Sequence, residues 1–101
     1  LLESAYEMAL CHELRKDGLD VQKQVGLPFE YGNEKLDIGY RMDIVVNNKV
    51  IIEVKSVESL ANVHYKQLLT YLKLSGKKLG ILVNFNTSDI KSNIKRIVNN
   101  L

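Results

Sequence analysis

The segment from Leu36 to Lys55 does most to restrict the fold. Leu36 to Val46 reads as a strand, Asn47-Asn48-Lys49 as a tight connection, and Val50 to Lys55 as the returning strand of a hairpin. The loop sets the register. A three-residue loop with one left-handed residue, for which Asn48 is suited, puts Val46 opposite Val50 and therefore Asp43 opposite Glu53, with Cβ atoms about 5 Å apart. A two-residue Asn47-Asn48 turn sends the two acids to opposite faces unless a bulge intervenes. Along the returning strand Glu53 and Lys55 share a face, while Val54 points the other way, toward a core.

The rest of the chain supplies elements to pack on this hairpin. Leu2, Tyr6, Ala9, Leu10 and Leu14 recur at helical spacing from Leu2 to about Lys16, and Gly18 follows as a stop. Val21 to Val25 and Leu27 to Tyr31 are short extended segments, with Pro28 marking an edge or a break and Gly32-Asn33 a turn. Leu60, Val63, His64, Gln67, Leu68, Tyr71 and Leu72 define a second helix closed by Gly76, and Leu79 to Phe85 is an apolar run of strand length. Ser88 to Asn99 is ambiguous, with Ile90, Ile94, Ile97 and Val98 at a spacing that suits a helix behind a Ser88 cap. The order of helix, two or three strands, helix, strand and final helix predicts an α/β sandwich, with helices packed on a mixed sheet. At 101 residues, one domain over 1–101 is expected.

Composition excludes several classes. No uninterrupted aliphatic stretch exceeds three residues, as in Val50-Ile51-Ile52, whereas a bilayer span needs about 20, so no membrane segment is expected. The first residues do not resemble a signal peptide, and because the chain starts without Met a natural start upstream is an expectation. A lone Cys11 rules out an internal disulfide and a cysteine-rich zinc site, which fits the cytoplasm and a packed thiol. Charge is uneven. Residues 1–58 hold 7 Lys/Arg against 11 Asp/Glu and residues 59–101 hold 7 against 1, so the second half can present a phosphate-facing field. Lys66, Lys73 and Arg96 are its candidate nucleic-acid contacts, beside Lys77, Lys78, Lys91 and Lys95; a solvated basic surface is the plainer explanation.

The sharpest chemical signal is Asp43 followed by Glu53-Val54-Lys55. Two facing carboxylates repel unless a cation lies between them, and hard oxygen ligands suit Mg²⁺, with Mn²⁺ as a substitute. A lysine beside such a pair can stabilise developing charge or position a nucleophile, and phosphodiester hydrolysis is the matching chemistry. The competing explanation is a surface ion pair between Asp43 and Lys55 with Glu53 nearby. On the second helix, His64, Gln67 and Tyr71 form a polar stripe within a Leu-rich segment. Core packing of Tyr71 with its hydroxyl on Gln67, and a surface role for His64, are the alternatives there.

Taken together, Leu1-Leu2-Glu3-Ser4-Ala5-Tyr6-Glu7, Gly39 to Asp43, Ile52 to Val57, Val63 to Leu72 and the strand from Gly80 to Phe85 resemble the GxxExxY protein family, a branch of the PD-(D/E)xK nuclease superfamily. The resemblance runs over almost the whole chain, although Met42 stands where the superfamily's name has Pro and the Gly opening GxxExxY would precede Leu1. It implies a restriction-endonuclease-like α-β-β-β-α-β core. It further implies Asp43 and Glu53 as Mg²⁺ ligands with the Val54 carbonyl, Glu3 as an outer helix-one ligand, Lys55 as the catalytic lysine, and Gln67 with Tyr71 as the QxxxY element. Glu7 is read as a helix N-terminal acid favoured by the macrodipole. The implied activity is metal-dependent cleavage of DNA, or of RNA, in the cytoplasm; the alternative is a catalytically silent nucleic-acid-binding or assembly module. A homodimer is left open, because many nucleases of this superfamily address two strands.

Overall fold

The computed structural model describes residues 2–100. Helix α1 (Leu2–Lys16) turns Tyr6, Leu10, Cys11 and Leu14 onto one side, where they pack on the sheet. It ends at Gly18, whose φ of 86° lets the Leu19 N–H return to the Leu14 carbonyl at 3.2 Å, as left-handed helix stops do. Strand β1 (Val21–Gly26) follows, and then a separate hairpin of β2 (Phe29–Tyr31) and β3 (Glu34–Leu36) around Gly32-Asn33. Leu27 and Pro28 form the break that the proline predicts.

The expected strand from Leu36 to Val46 is interrupted. Gly39 is left-handed, and the chain resumes as β4 (Arg41–Val46), which turns back into β5 (Val50–Lys55). Helix α2 (Asn62–Ser75) then crosses to β6 (Leu79–Asn84), and a short 3-10 turn (Lys91–Asn93) leads into β7 (Ile94–Val98). The main sheet runs β1-β4-β5-β6-β7 and is antiparallel except between β5 and β6, the pair joined through α2. With β2–β3 as an insertion and β7 as an addition, this is the α-β-β-β-α-β core.

The helix expected between Ser88 and Asn99 is therefore corrected to a 3-10 turn and an edge strand. Without β7, the buried strand β6 would leave one row of backbone groups unpaired, and a helix beside it could not satisfy them. Asn99 fastens the strand's end, its N–H on the Lys78 carbonyl at 2.8 Å and its side-chain amide on the Lys77 carbonyl at 3.2 Å.

Two apolar layers flank the sheet. Cys11, Val21, Ile44, Val46, Ile52, Val54 and Val83 pack under α1, while Met42, Val45, Ile51, Leu68, Tyr71, Leu72 and Leu82 pack under α2. Gly80 lets α2 approach, since a Cβ there would lie 2.9 Å from Leu68 Cγ. No helix among the described residues is long and apolar enough to cross a membrane.

Candidate active site

The β4–β5 turn sets the site. Asn47 and Asn48 both have φ of 53°, and the Lys49 N–H closes on the Val46 carbonyl at 3.0 Å, so the turn uses two left-handed residues rather than the expected one. Lys49 is the extra residue that keeps Val46 opposite Val50, Val45 opposite Ile51 and Ile44 opposite Ile52. That is the register required to bring Asp43 to Glu53.

At the next position side chains take over from the ladder. Glu53 Oε2 accepts the Asp43 N–H at 2.8 Å, and Asp43 Oδ2 accepts the Val54 N–H at 2.9 Å. Each carboxylate is thus fixed by one oxygen on the other strand. Glu53 is only 2% exposed, and its carboxyl is pushed up to about 8, first by burial and then by the charge of Asp43. Asp43 is raised as well, again chiefly by burial, against the pull of the Val54 N–H.

Lys55 extends the site toward α2. Its Nζ donates to Gln67 Oε1 at 2.9 Å, and Gln67 Nε2 donates to the Tyr71 hydroxyl at 3.3 Å, so the expected QxxxY pair forms a relay ending on the lysine. Among the described residues no ion pair within 4 Å joins Lys55 to either carboxylate, which excludes the simple surface pair. Tyr71 is also a core residue, tilted against Tyr40 with ring centroids 5.5 Å apart, and burial is the main cause of its raised pKa. Its packing and polar roles coexist.

Glu3, exposed on α1, reaches the end of β5, where its Oε2 accepts the Ser56 N–H at 3.2 Å. Val54 turns its side chain into the α1 layer. His64 falls outside the site, because its Nδ1 accepts the Ala61 N–H at 2.9 Å and caps α2. The three basic candidates do not converge. Lys66 borders a cleft of about 220 Å³ together with Tyr40, Gln67 and Tyr71. Lys73 lies farther along α2, beside Pro28 and Lys35. Arg96 pairs with Ile81 at the opposite edge of the sheet, on the α1 side.

Two residues at the site were not singled out as site residues from the sequence. Glu7, only 8% exposed, has both carboxylate oxygens held by Gln24 Nε2 at 3.0 Å, and the same amide lies 3.5 Å from Asp43 Oδ1. The four-residue step from Glu3 to Glu7 could have placed both acids on one helix face. Nothing in the sequence marks Gln24.

Among the described residues no three His, Cys, Asp or Glu side chains converge as a ligand set. The Asp43–Glu53 pair nonetheless suits a divalent cation. Asp43 Oδ1 and Glu53 Oε1 are not engaged by the backbone clasp, and the neighbouring acids that help burial raise the two groups, Asp43 on Glu53 and Glu7 with Glu3 on Asp43, are charges that a cation would relieve.

A model of the PD-(D/E)XK nuclease superfamily matches residues 1–97. Among solved structures, the crystal structure of SSO0001 superposes with a TM-score of 0.74 and 27% identity over 99% of this chain; the chain spans about half (52%) of that one. No curated protein matches it in sequence. By its family match, over a fold that clasps an Asp to a Glu-x-Lys strand, the chain belongs to the PD-(D/E)XK nuclease superfamily.

Proposed function

We propose that the chain is a metal-dependent nuclease that hydrolyses phosphodiester bonds of DNA, with RNA as the second choice, in the cytoplasm. The observation that carries this reading is the reciprocal clasp between Asp43 and Glu53, beside a lysine that is tied to a neutral amide rather than quenched by either acid. Asp43 and Glu53 would hold Mg²⁺ or Mn²⁺ with the Val54 carbonyl, and Glu3 at the outer margin. When bound, the ion supplies Lewis-acid polarisation of a phosphoryl oxygen and acidifies a water.

The chain's own groups perform the remaining tasks. Lys55 presents a positive charge to the non-bridging oxygens or to the attacking water, and Gln67 fixes its ammonium so that little reorganisation is needed. Tyr71, anchored in the core, holds Gln67 in turn. Lys66, one residue before Gln67 and on the border of the cleft, would meet a neighbouring phosphate. The finer assignment to the GxxExxY branch rests on Glu3 and Tyr6, which α1 brings to the β5–β6 end of the sheet through Ser56 and the Phe85 ring.

Glu53→Ala and Lys55→Ala should each lower Mg²⁺-stimulated cleavage of a mixed panel of linear, circular and single-stranded substrates by about 10²–10⁴. Circular dichroism should show the parent fold. Unchanged cleavage in either variant would overturn the assignment. A parent chain that binds nucleic acid without cleaving it under Mg²⁺ or Mn²⁺ would establish the silent module instead.

A further inference from the structure

Gln24 has φ of 53° in the middle of β1, a conformation that a non-glycine residue rarely adopts inside a strand. Its effect is visible on both sides. β1 and β4 pair regularly at Val21–Val46, Gln22–Val45 and Lys23–Ile44, and again at Val25–Met42 and Gly26–Arg41, but Gln24 and Asp43 between them are unpaired. Both strands also change face at this position. Val21 and Ile44 pack in the α1 layer, yet Val25 and Met42, each a further even number of residues along, pack in the α2 layer. The sheet is locally turned over at the candidate aspartate.

The side chain uses this turn. Instead of following the strand's alternation, Gln24 sends its carboxamide to the α1 side, where Nε2 lies 3.0 Å from each oxygen of Glu7 and 3.5 Å from Asp43 Oδ1. An amide NH₂ has two hydrogens, so one serves Glu7 and the other is free to point at Asp43. A neutral donor in this place separates two acids without adding a positive charge, whereas a lysine or arginine would compete with any cation drawn to the pair. Strain retained in a backbone at a functional position calls for a functional account.

We propose that Gln24 is a positioning residue: its left-handed backbone carries the amide across the sheet to hold Glu7 and to orient Asp43 Oδ1 for the cation. Glu7 thereby becomes a buried acid of the site, adding negative potential behind Asp43. The inference rests on the metal-nuclease reading for its purpose, and on the geometry alone for the Gln24 contacts.

Gln24→Gly separates the backbone from the amide, because glycine accepts the positive φ without strain. Gln24→Asn is the second variant; asparagine tolerates the same backbone but is one carbon too short to span to Glu7. Both should melt within a few degrees of the parent and bind Mn²⁺, followed by titration calorimetry, about ten- to a hundred-fold more weakly, with cleavage reduced in step. Parent-like Mn²⁺ affinity in Gln24→Gly would overturn the proposal, leaving Gln24 a residue that merely shapes the strand. If the parent itself binds no Mn²⁺, the nuclease reading fails and the contacts are judged by NMR. Gln24 side-chain amide protons that are slow to exchange and shift in Glu7→Gln support positioning, and amide protons that exchange freely and ignore Glu7→Gln overturn it.

Discussion

The two ends of the β4–β5 hairpin are built from the same strands by different means. At the turn end, Val45 and Ile51 pair through the backbone, their side chains fill the α2 layer, and Ile51 is fully buried. A cleft of about 510 Å³ lies there beside Asn48, Lys49 and Gly76, larger than the one of about 220 Å³ at Gln67 and Tyr71, and although Lys77 and Lys78 line it, none of the candidate catalytic or metal-binding residues does. At the other end, carboxylates replace the regular pairing, Gln24 leaves the extended region, and a buried Glu53 sits at a raised pKa. The apolar end can tolerate the strain of the polar one because ladder and core fix the register before Asp43 is reached. Cavity size is accordingly a poor guide to chemistry here.

The most severe way to break this division is to remove the support. Ile51→Ala should destabilise the chain by about 2–5 kcal/mol, since it deletes a fully buried side chain of β5 that packs under α2. Urea denaturation measures it. A loss below about 1 kcal/mol would mean that the turn end does not carry the fold. By contrast, Glu53→Gln replaces a buried carboxyl that the folded chain must keep protonated at pH 7 with a neutral amide of nearly the same volume, and should leave metal-free stability at pH 7 unchanged or higher, although it disables the site.

The polar end should reveal itself in the pH dependence of stability. The Glu53 carboxyl sits at about 8 in the folded chain against an ordinary value of 4.5, so the folded state holds a proton that the unfolded state has released. Its contribution is complete below about pH 4.5 and is lost as pH rises through about 8; Asp43, also raised, acts in the same direction. Metal-free protein should therefore lose stability between pH 5 and 8, with a slope of up to about 1.4 kcal/mol per pH unit for each proton released. Asp37 and Asp89, both lowered by hydrogen bonds, titrate beneath this window. Glu53→Gln should flatten the slope, and an equal slope in parent and variant would show that Glu53 is not the group responsible.

The same contrast explains what could be read from the chain. Elements with a local cause were legible: α1 and α2 from their apolar stripes and the glycines at 18 and 76, and the Asp43–Glu53 register from a loop of three polar residues. Elements decided by a distant partner were not. Ile94, Ile97 and Val98 fit a helix as well as a strand until the open edge of β6 is known. Gly39 breaks a run that periodicity joins, and the partner of the Gln24 side chain is a Glu7 carboxylate seventeen positions away in sequence. The candidate PD-(D/E)XK residues were named from spacing and resemblance, whereas the contacts that hold them are properties of the assembled sheet.

The smallest effect tests whether the turn end sets the register alone. Asn47 is committed, since its Oδ1 accepts the Asp20 N–H at 2.9 Å and its own N–H donates to the Asp20 carbonyl at 2.8 Å. Asn48 has the same φ of 53° but only an exposed contact from Lys77 Nζ at 3.3 Å. Glycine at the second left-handed position of such a turn relieves its conformational cost, so Asn48→Gly should stabilise the chain by a few tenths of a kcal/mol and at most about 1 kcal/mol. Cleavage should not change, because Val46 would still face Val50 and Asp43 would still reach Glu53. If instead stability rises while cleavage falls, the loop has slipped to the two-residue register. The acids would then lie on opposite faces, and the support of the site would be shown to reside in Lys49 as the extra residue rather than in the core beneath it.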